Sequence, residues 1–556
     1  LSRPKHDYYT GQLFMEQFFR NIIDKYRIAI EKISAKLNSL SRPALLLLLL
    51  AIAAVLLLVT SQFIEKSGDA VYKWGILRYY ADSGIWYPVH ADHHQGRWAL
   101  NLPVLLIMKL FGSSAWVYYV FPFATGMVGA LFIYAVTSRL CSRIAGIAAF
   151  LIFFIFPLSA RGDTQFLPML PAAMFILIAL YCVLRWFDSK NLLNIILAGL
   201  MIILAYGCKV TSLYWALAIV LAIGLYSPET RVWFKILRLK IGTAFIVFSA
   251  TIVAGLLIET LVINHLCGFS YGRLQLIAGS HLSAQIGTEE EYHGFFAWLF
   301  SFLRPLSLRG KYFESMPCFF IFILGLISAA LALWKGSARK KFTAFCLILV
   351  YLLHCYMVCK VFPFLYPEQA LSRYFMPVAL VCIVLYCSTS LEWENFVWNR
   401  LRNLQIRSLA KFVLCLLWLI PSLIYVANSW LRNGTIINTF QGERLFAEAE
   451  SKKLPVMLKL KKAPANSQLC SADRKSALRW MTLFGPVELI PELSTGSFQG
   501  SRQYLILMNS AALPTAEKAL VINELKINFR PHSPQSEGPE NYSPIALSSS
   551  GSYTDD

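Results

Sequence analysis

Charge is scarce in this chain. Only 15% of its 556 residues are Asp, Glu, Lys or Arg, where an ordinary soluble domain has about a quarter. Acids are scarcer still, 31 against 51 basic residues, which leaves a net charge of +20. The shortage excludes a water-soluble globule, and a hydrophobic content of 57% excludes a disordered chain. Metal-ligand and disulfide spacings are missing too. Of the 12 cysteines, only Cys267 and Cys470 fall in long polar regions; Cys355 and Cys359 share a helix face and read as small buried hydrophobes. The first apolar run begins near Pro43, which predicts no cleavable leader. There is no visible internal repeat of the kind that secondary transporters carry.

Long apolar runs are what the chain has instead, and its mean hydropathy is +0.55. A helical crossing of a bilayer core needs roughly 20 mostly apolar residues. Stretches of that kind fall at about 44–62, 115–138, 141–159, 166–186, 192–208, 212–227, 240–264, 316–334, 342–361, 370–390 and 410–429. The expected fold class is an all-α polytopic membrane protein with about eleven transmembrane helices. The region 295–308 reads as a re-entrant or interfacial helix. Residues 1–43 read as a basic amphipathic segment on the inner leaflet, with Phe18, Ile22 and Ile30 interleaved with Arg20, Lys25 and Arg27. Residues 44–430 form the transmembrane domain, with outer loops 63–114 and 265–315. Residues 431–530, with a strand-like run at Tyr504–Met508 and a helix around Ala472–Phe484, read as a small α/β domain. Residues 531–556 read as a disordered tail.

Loop charge sets the orientation. An inside N-terminus puts the basic clusters Arg139/Arg143, Arg185/Lys190, Arg231–Lys240, Lys335–Lys341 and Arg400–Lys411 on the cytoplasmic side. The opposite short loops hold one or two cations each, so positive residues mark the inside. This assigns most of the basic excess to topology and not to nucleic acid. The C-terminal domain is then extracytoplasmic.

Asp69 follows the first span in the run Glu65-Lys66-Ser67-Gly68-Asp69, with Tyr72 three residues on. A carboxylate at that interfacial depth is partly desolvated, which suits a general base acting on a hydroxyl. Asp163 lies in a second outer loop, ahead of Pro168 and Pro171. In isolation each acid also reads as a helix cap or a solvated loop residue. Arg97, Lys209 and Arg373 sit at the same face, the last two flanked by apolar runs where charge is costly. A phosphate would satisfy them, Arg by a bidentate grip and Lys as a point charge; snorkelling to headgroups is the alternative. Glu259, at the outer end of its span, either pairs with one of these cations or lines a cavity. His90, Asp92, His93 and His94 are too local for a convincing metal site.

These features together resemble polyprenyl-phosphate-sugar-dependent glycosyltransferases of the C-type fold. That superfamily, family 39-like, includes protein O-mannosyltransferases, the lipid A aminoarabinose transferase and lipopolysaccharide-core sugar transferases. The likeness rests on four features: the acid after span one; the run Arg97–Gly112 ending Lys109-Leu110-Phe111-Gly112; Ser138-Arg139-Leu140 with Arg161-Gly162-Asp163; and Ser372-Arg373-Tyr374 through Pro377. It covers roughly 63–210 and 365–390. The chain departs from the pattern in having Asp69-Ala70 where an acidic pair is usual, and Arg97 where the family has lysine.

The resemblance implies an inverting transfer of a sugar from a polyprenyl-phosphate donor to an extracytoplasmic hydroxyl of a glycolipid, lipopolysaccharide or protein, in a bacterial inner membrane. It makes Asp69 and Asp163 catalytic. Arg97, Lys209 and Arg373 become donor-phosphate ligands, and Tyr72, Tyr374, Glu259 and Tyr271 substrate-binding residues. No cofactor or metal is implied. A lipid-linked-glycan flippase, a polymerase and a secondary transporter are the rival readings.

Overall fold

The computed structural model describes residues 39–60, 96–112, 115–162, 166–226, 242–267, 316–356, 372–400 and 404–433 continuously. Shorter pieces lie between these segments, before residue 39 and as strands between 468 and 522. Asp69, Tyr72, Asp163, the His90–His94 cluster, residues 531–556 and the expected helix at 472–484 lie outside the described residues, as does most of the 1–43 segment.

Each of the apolar stretches overlaps a described helix. In chain order these are α1 (Arg42–Thr60), α2 (Trp98–Phe111), α3 (Ala115–Leu140), α4 (Arg143–Ile155), the short α5 (Pro157–Gly162), α6 (Met169–Ser189) and α7 (Leu193–Cys208). After them come α8 (Leu213–Tyr226), α9 (Thr243–Cys267), α10 (Met316–Lys335), α11 (Ala338–Tyr356), α12 (Met376–Ser388), α13 (Ser390–Phe396) and α14 (Leu404–Asn433). Five described helices are long and apolar enough to cross a bilayer, and a sixth is added if the pair at 376–400, bent by 61°, is one span. Helix α2 lies inside what reads from sequence as an outer loop. The expected span 141–159 divides at Phe156, which takes extended dihedrals (φ −76°, ψ 126°) ahead of Pro157, because proline excludes the helical region for the residue before it.

Burial follows position in the bundle. In α1 only Leu45, Leu49, Ala53, Leu57 and Thr60 are buried, one stripe at spacings of three to four residues, while its other leucines face outward. Helix α9 likewise exposes Ile246, Val253, Leu257, Ile258, Leu261 and Val262. Helix α12 is buried on every side from Met376 to Leu385 and forms the centre. Lipid gives no hydrophobic drive between helices, so close packing through small residues holds them together. Glycines mark the crossings: a Cβ at Gly199 would stand 2.7 Å from Thr251 of α9, one at Gly255 would stand 2.6 Å from Ile203 of α7, and one at Gly325 would stand 2.3 Å from Cys382 of α12.

The two ends of the bundle differ in charge. At one end Asp188 accepts from both Arg139 and Arg339, and the buried Lys340 donates to Glu392 at 2.7 and 2.9 Å. Helices α6 and α11 run from this end to the other in opposite directions, so Met169 and His354 lie together at the far end. There α11 holds residues 299–302: Tyr351 Oη donates to the Phe302 carbonyl and Tyr356 Oη to that of Leu299. Tyr292–His293 also pairs antiparallel with Tyr366–Pro367. Beyond the bundle, four short strands, β1 (Gln468–Ser471), β2 (Val487–Leu489), β3 (Tyr504–Leu507) and β4 (Leu520–Ile522), form a sheet of order β2-β1-β3-β4. Strand β1 is parallel to β2 and β3, and β4 is antiparallel to β3.

Gly325→Ala is expected to destabilise the protein by about 1–3 kcal/mol, because Cys382 leaves no room for the added carbon. Gly129→Ala, where the nearest atom to the added carbon is 3.8 Å away, should be neutral. Thermal unfolding of the two variants in detergent measures the contrast.

Candidate functional site

The site is built on a break in an apolar helix pair. Helix α7 ends at Cys208, and Lys209 leaves helical geometry (φ −147°, ψ 124°) while its N–H still donates to the Ala205 carbonyl at 2.8 Å. A 3-10 turn, Val210–Ser212, starts α8, and Ser212 Oγ donates to that same Ala205 carbonyl at 3.1 Å. Irregular backbone within a membrane bundle is tolerated where protein covers it or it lines a cavity. Both hold here. Lys209 Nζ lies 4.0 Å from the centre of the Tyr374 ring, a cation–π contact that offsets part of the cost of an ammonium in apolar surroundings.

Tyr374 is presented by a 3-10 turn, Ser372–Phe375, that leads into α12 at Pro377. Helix α11 brings His354 to the same place, edge-on to Tyr214 and tilted against Phe375. Lys209, Thr211, Ser212, Trp215, His354 and Tyr374 surround a narrow cleft with about 10 Å³ of room, that of one water, closed by Met169, Ala172 and Pro377.

A second cluster adjoins the break. Arg97, 5% exposed, precedes α2, and its carbonyl accepts from the Leu100 and Asn101 amides. The next residue, Trp98, donates its indole N–H to Glu259 Oε1 at 2.5 Å. That approach requires Gly207, because a Cβ there would stand 2.7 Å from the Trp98 ring and from Ala99. Glu259 also pairs with Arg273, whose Nη1 is 3.7 Å from Oε1. Arg273 donates to the Tyr206 carbonyl and stacks its guanidinium 5.0 Å from the Tyr206 ring centre. It is 2% exposed, and burial lowers its pKa from the ordinary value while Glu259 opposes that shift. Gly272 makes the turn possible: its φ is +57°, and a Cβ would stand 2.9 Å from the Thr260 backbone.

The structure therefore brings Arg97, Lys209, Glu259 and Tyr374 to one end of the bundle. Arg373 is in the turn that carries Tyr374, with its side chain outside the described residues. Tyr271 is 76% exposed and stands apart from the buried cluster. Among the described residues no group of three His, Cys, Asp or Glu side chains could hold a metal ion.

Sequence reasoning missed Trp98, Tyr206, His354 and Tyr118. Tyr118 is the least expected. Its ring packs edge-on to Trp74 at 5.3 Å, and its hydroxyl accepts the Phe166 amide at 2.7 Å. It thus joins the segment after Asp69 to the segment after Asp163. A lone His in an apolar run, and aromatics next to Arg97 and Lys209, were the only signals available.

Residues 100–254 match the family described as Dolichyl-phosphate-mannose-protein mannosyltransferase. No curated protein sequence matches the chain. In three dimensions the chain is similar to ArnT from Cupriavidus metallidurans in the apo state, at 12% identity and a TM-score of 0.51, covering 83% of this chain and 92% of that one. The structure of the same ArnT bound to undecaprenyl phosphate matches equally, with a TM-score of 0.51, 12% identity and coverage of 84% and 93%. The fold is the C-type glycosyltransferase fold.

Removing Glu259 would leave the buried Arg273 guanidinium without its counter-charge and the Trp98 indole without its acceptor. Glu259→Ala is expected to cost about 3–5 kcal/mol of stability. Glu259→Gln, which keeps an acceptor for Trp98, should cost less. Thermal unfolding with limited proteolysis between residues 268 and 300 reads both effects.

Proposed function

We propose that the protein is a membrane glycosyltransferase that moves a sugar from a polyprenyl-phosphate donor to a hydroxyl on the extracytoplasmic side. The observation that carries this reading is the gathering of cations, aromatics and the acid-bearing segments at one end of the bundle. Phe166 touches the Tyr118 hydroxyl and lies three residues from Asp163; Trp74 packs on Tyr118 and lies five from Asp69. The fold shared with ArnT, which binds undecaprenyl phosphate, supports a lipid-phosphate ligand here.

In this mechanism Asp69 takes the proton of the acceptor hydroxyl as its oxygen attacks the anomeric carbon. The bond from that carbon to the phosphate oxygen breaks on the opposite face, and the configuration inverts. Phosphate leaves with the bonding electrons, so no general acid is needed, but its developing charge must be met. Lys209, together with Arg97 and Arg373, supplies that charge. Asp163 orients the acceptor or the sugar, Tyr72, Tyr374 and Tyr271 contact substrate, and Glu259 contributes by holding the wall of the site. The reading includes eleven crossings, an inside N-terminus, an extracytoplasmic α/β domain built on β1–β4, and a bacterial inner membrane. A glycolipid or a protein is the acceptor.

Asp69→Asn should reduce turnover at least about a hundredfold with the protein folded. Lys209→Met should raise KM for the lipid donor and lower kcat, because the cation serves both ground state and transition state. Release of polyprenyl phosphate from synthetic donors, followed with purified protein and candidate acceptors, measures both. Full activity in folded Asp69→Asn overturns the assignment of the base.

A further inference from the structure

The end of the bundle opposite Lys209 carries more positive charge than its own acids meet. We propose that the lipid-facing edge of that end, where α10 and α13 meet around Lys335, binds an anionic phospholipid. The proposal is independent of the transferase reading.

Among the described residues that end holds three acids, and all three are engaged. Asp188 pairs with Arg139 and Arg339, Glu392 with Lys340, and Glu394 with Arg407 and Lys411. Lys335, Lys341 and Arg400 face no acid among the described residues. Lys335 and Lys341 flank the turn between α10 and α11, and Arg400 ends the 3-10 turn Trp398–Arg400 that follows α13. Two contacts tie these elements together. Lys340 joins the start of α11 to α13 through Glu392, and Trp393 Nε1 of α13 donates to Ser328 Oγ of α10 at 2.8 Å.

Lys335 is set apart from the other cations by the apolar stripe that leads to it. Ile327, Ala330 and Trp334 are exposed at spacings of three and four residues, one face of α10 that meets lipid. Trp334, 58% exposed in the last turn, packs on Phe396 of α13 with ring centroids 4.3 Å apart. The exposed Lys335 places its ammonium 5.2 Å from the centre of the Trp334 ring and 5.9 Å from that of Phe396. An exposed tryptophan at the end of a membrane helix sits at headgroup level, so the ammonium stands at the depth of lipid phosphates. An acyl chain laid along the stripe carries its headgroup to Lys335. Topology explains why a loop is basic; it does not explain an ammonium held by two rings at the end of a lipid-facing stripe.

The chemistry of the cations selects the headgroup. An ammonium offers three donors and no acceptor, which matches a phosphodiester. A headgroup with net negative charge is also attracted by Lys341 and Arg400. A zwitterionic headgroup brings a cation of its own, which these residues repel.

The test measures lipid binding to the purified full chain in neutral detergent by native mass spectrometry. The probes are phosphatidylglycerol and phosphatidylcholine with the same acyl chains, with inorganic phosphate in excess as competitor. The wild type should hold phosphatidylglycerol at least about fivefold more tightly than phosphatidylcholine, the scale of one basic residue near an anionic membrane surface. Phosphate should not displace it. Lys335→Gln should weaken phosphatidylglycerol about fivefold and leave phosphatidylcholine unchanged, while Lys335→Arg keeps the preference. Lys109→Gln removes the same charge from an exposed position on α2, at the Lys209 end, and should behave as wild type. Equal affinity of the wild type for both lipids, an unchanged preference in Lys335→Gln, or the same loss in Lys109→Gln overturns the proposal. Displacement by phosphate overturns it as well, because the site then takes a free anion and not a lipid. Should Lys335→Gln fail to fold, Lys341→Gln combined with Arg400→Gln decides by the same criteria.

Discussion

One carboxylate organises the end of the bundle that carries Lys209. Glu259 stands near the end of a helix whose other faces meet lipid, where an unshared charge is unfavourable. Its oxygens are met by the Trp98 indole and the Arg273 guanidinium, and Arg273 in turn donates to the Tyr206 carbonyl. Three separate elements are thereby fixed to one another: the start of α2, the last turn of α7 and the turn after α9. Each guest also carries something the site uses. Trp98 fixes the neighbouring Arg97, and Tyr206 lies three residues before Lys209. The acid stabilises the structure and, through these contacts, sets where the cations stand.

The same economy of charge governs the rest of the bundle. At the basic end Asp188 serves two arginines, and Glu392 satisfies a buried lysine with both oxygens. At the other end the acids are fewer among the described residues, and Lys209 leans on a tyrosine ring. The helix break at Lys209 adds backbone and hydroxyl groups to the same cleft, because a continuous helix would have kept them bonded internally.

Glycine decides how closely these parts approach. Gly207 admits the Trp98 ring against α7, and Gly272 admits a turn against the Thr260 backbone. Both positions are silent in a hydropathy plot. The likeness to ArnT at 12% identity follows from the same physics. The fold needs apolar helices of the right lengths with small residues at crossings, and many sequences meet that need. The chemistry of a cleft is set by individual side chains, so the shared fold leaves the sugar and the acceptor to be read from this chain's own residues.

The sequence alone determined that this chain lives in a membrane and where most of its apolar helices lie, though α2 was hidden in a run that reads as a loop. Those properties follow from composition and from periodicity, both of them local. It also determined that Lys209 and Glu259 are unusual, since charge in an apolar run is conspicuous by its cost. Tertiary structure decided who meets whom. That Glu259 pairs with Arg273 and Trp98, that His354 opens on the Lys209 cleft, and that Tyr118 joins the segments after Asp69 and Asp163 are contacts between residues tens to hundreds of positions apart. Their geometry is fixed by how helices cross and where glycine lets them touch, and no local pattern encodes a crossing.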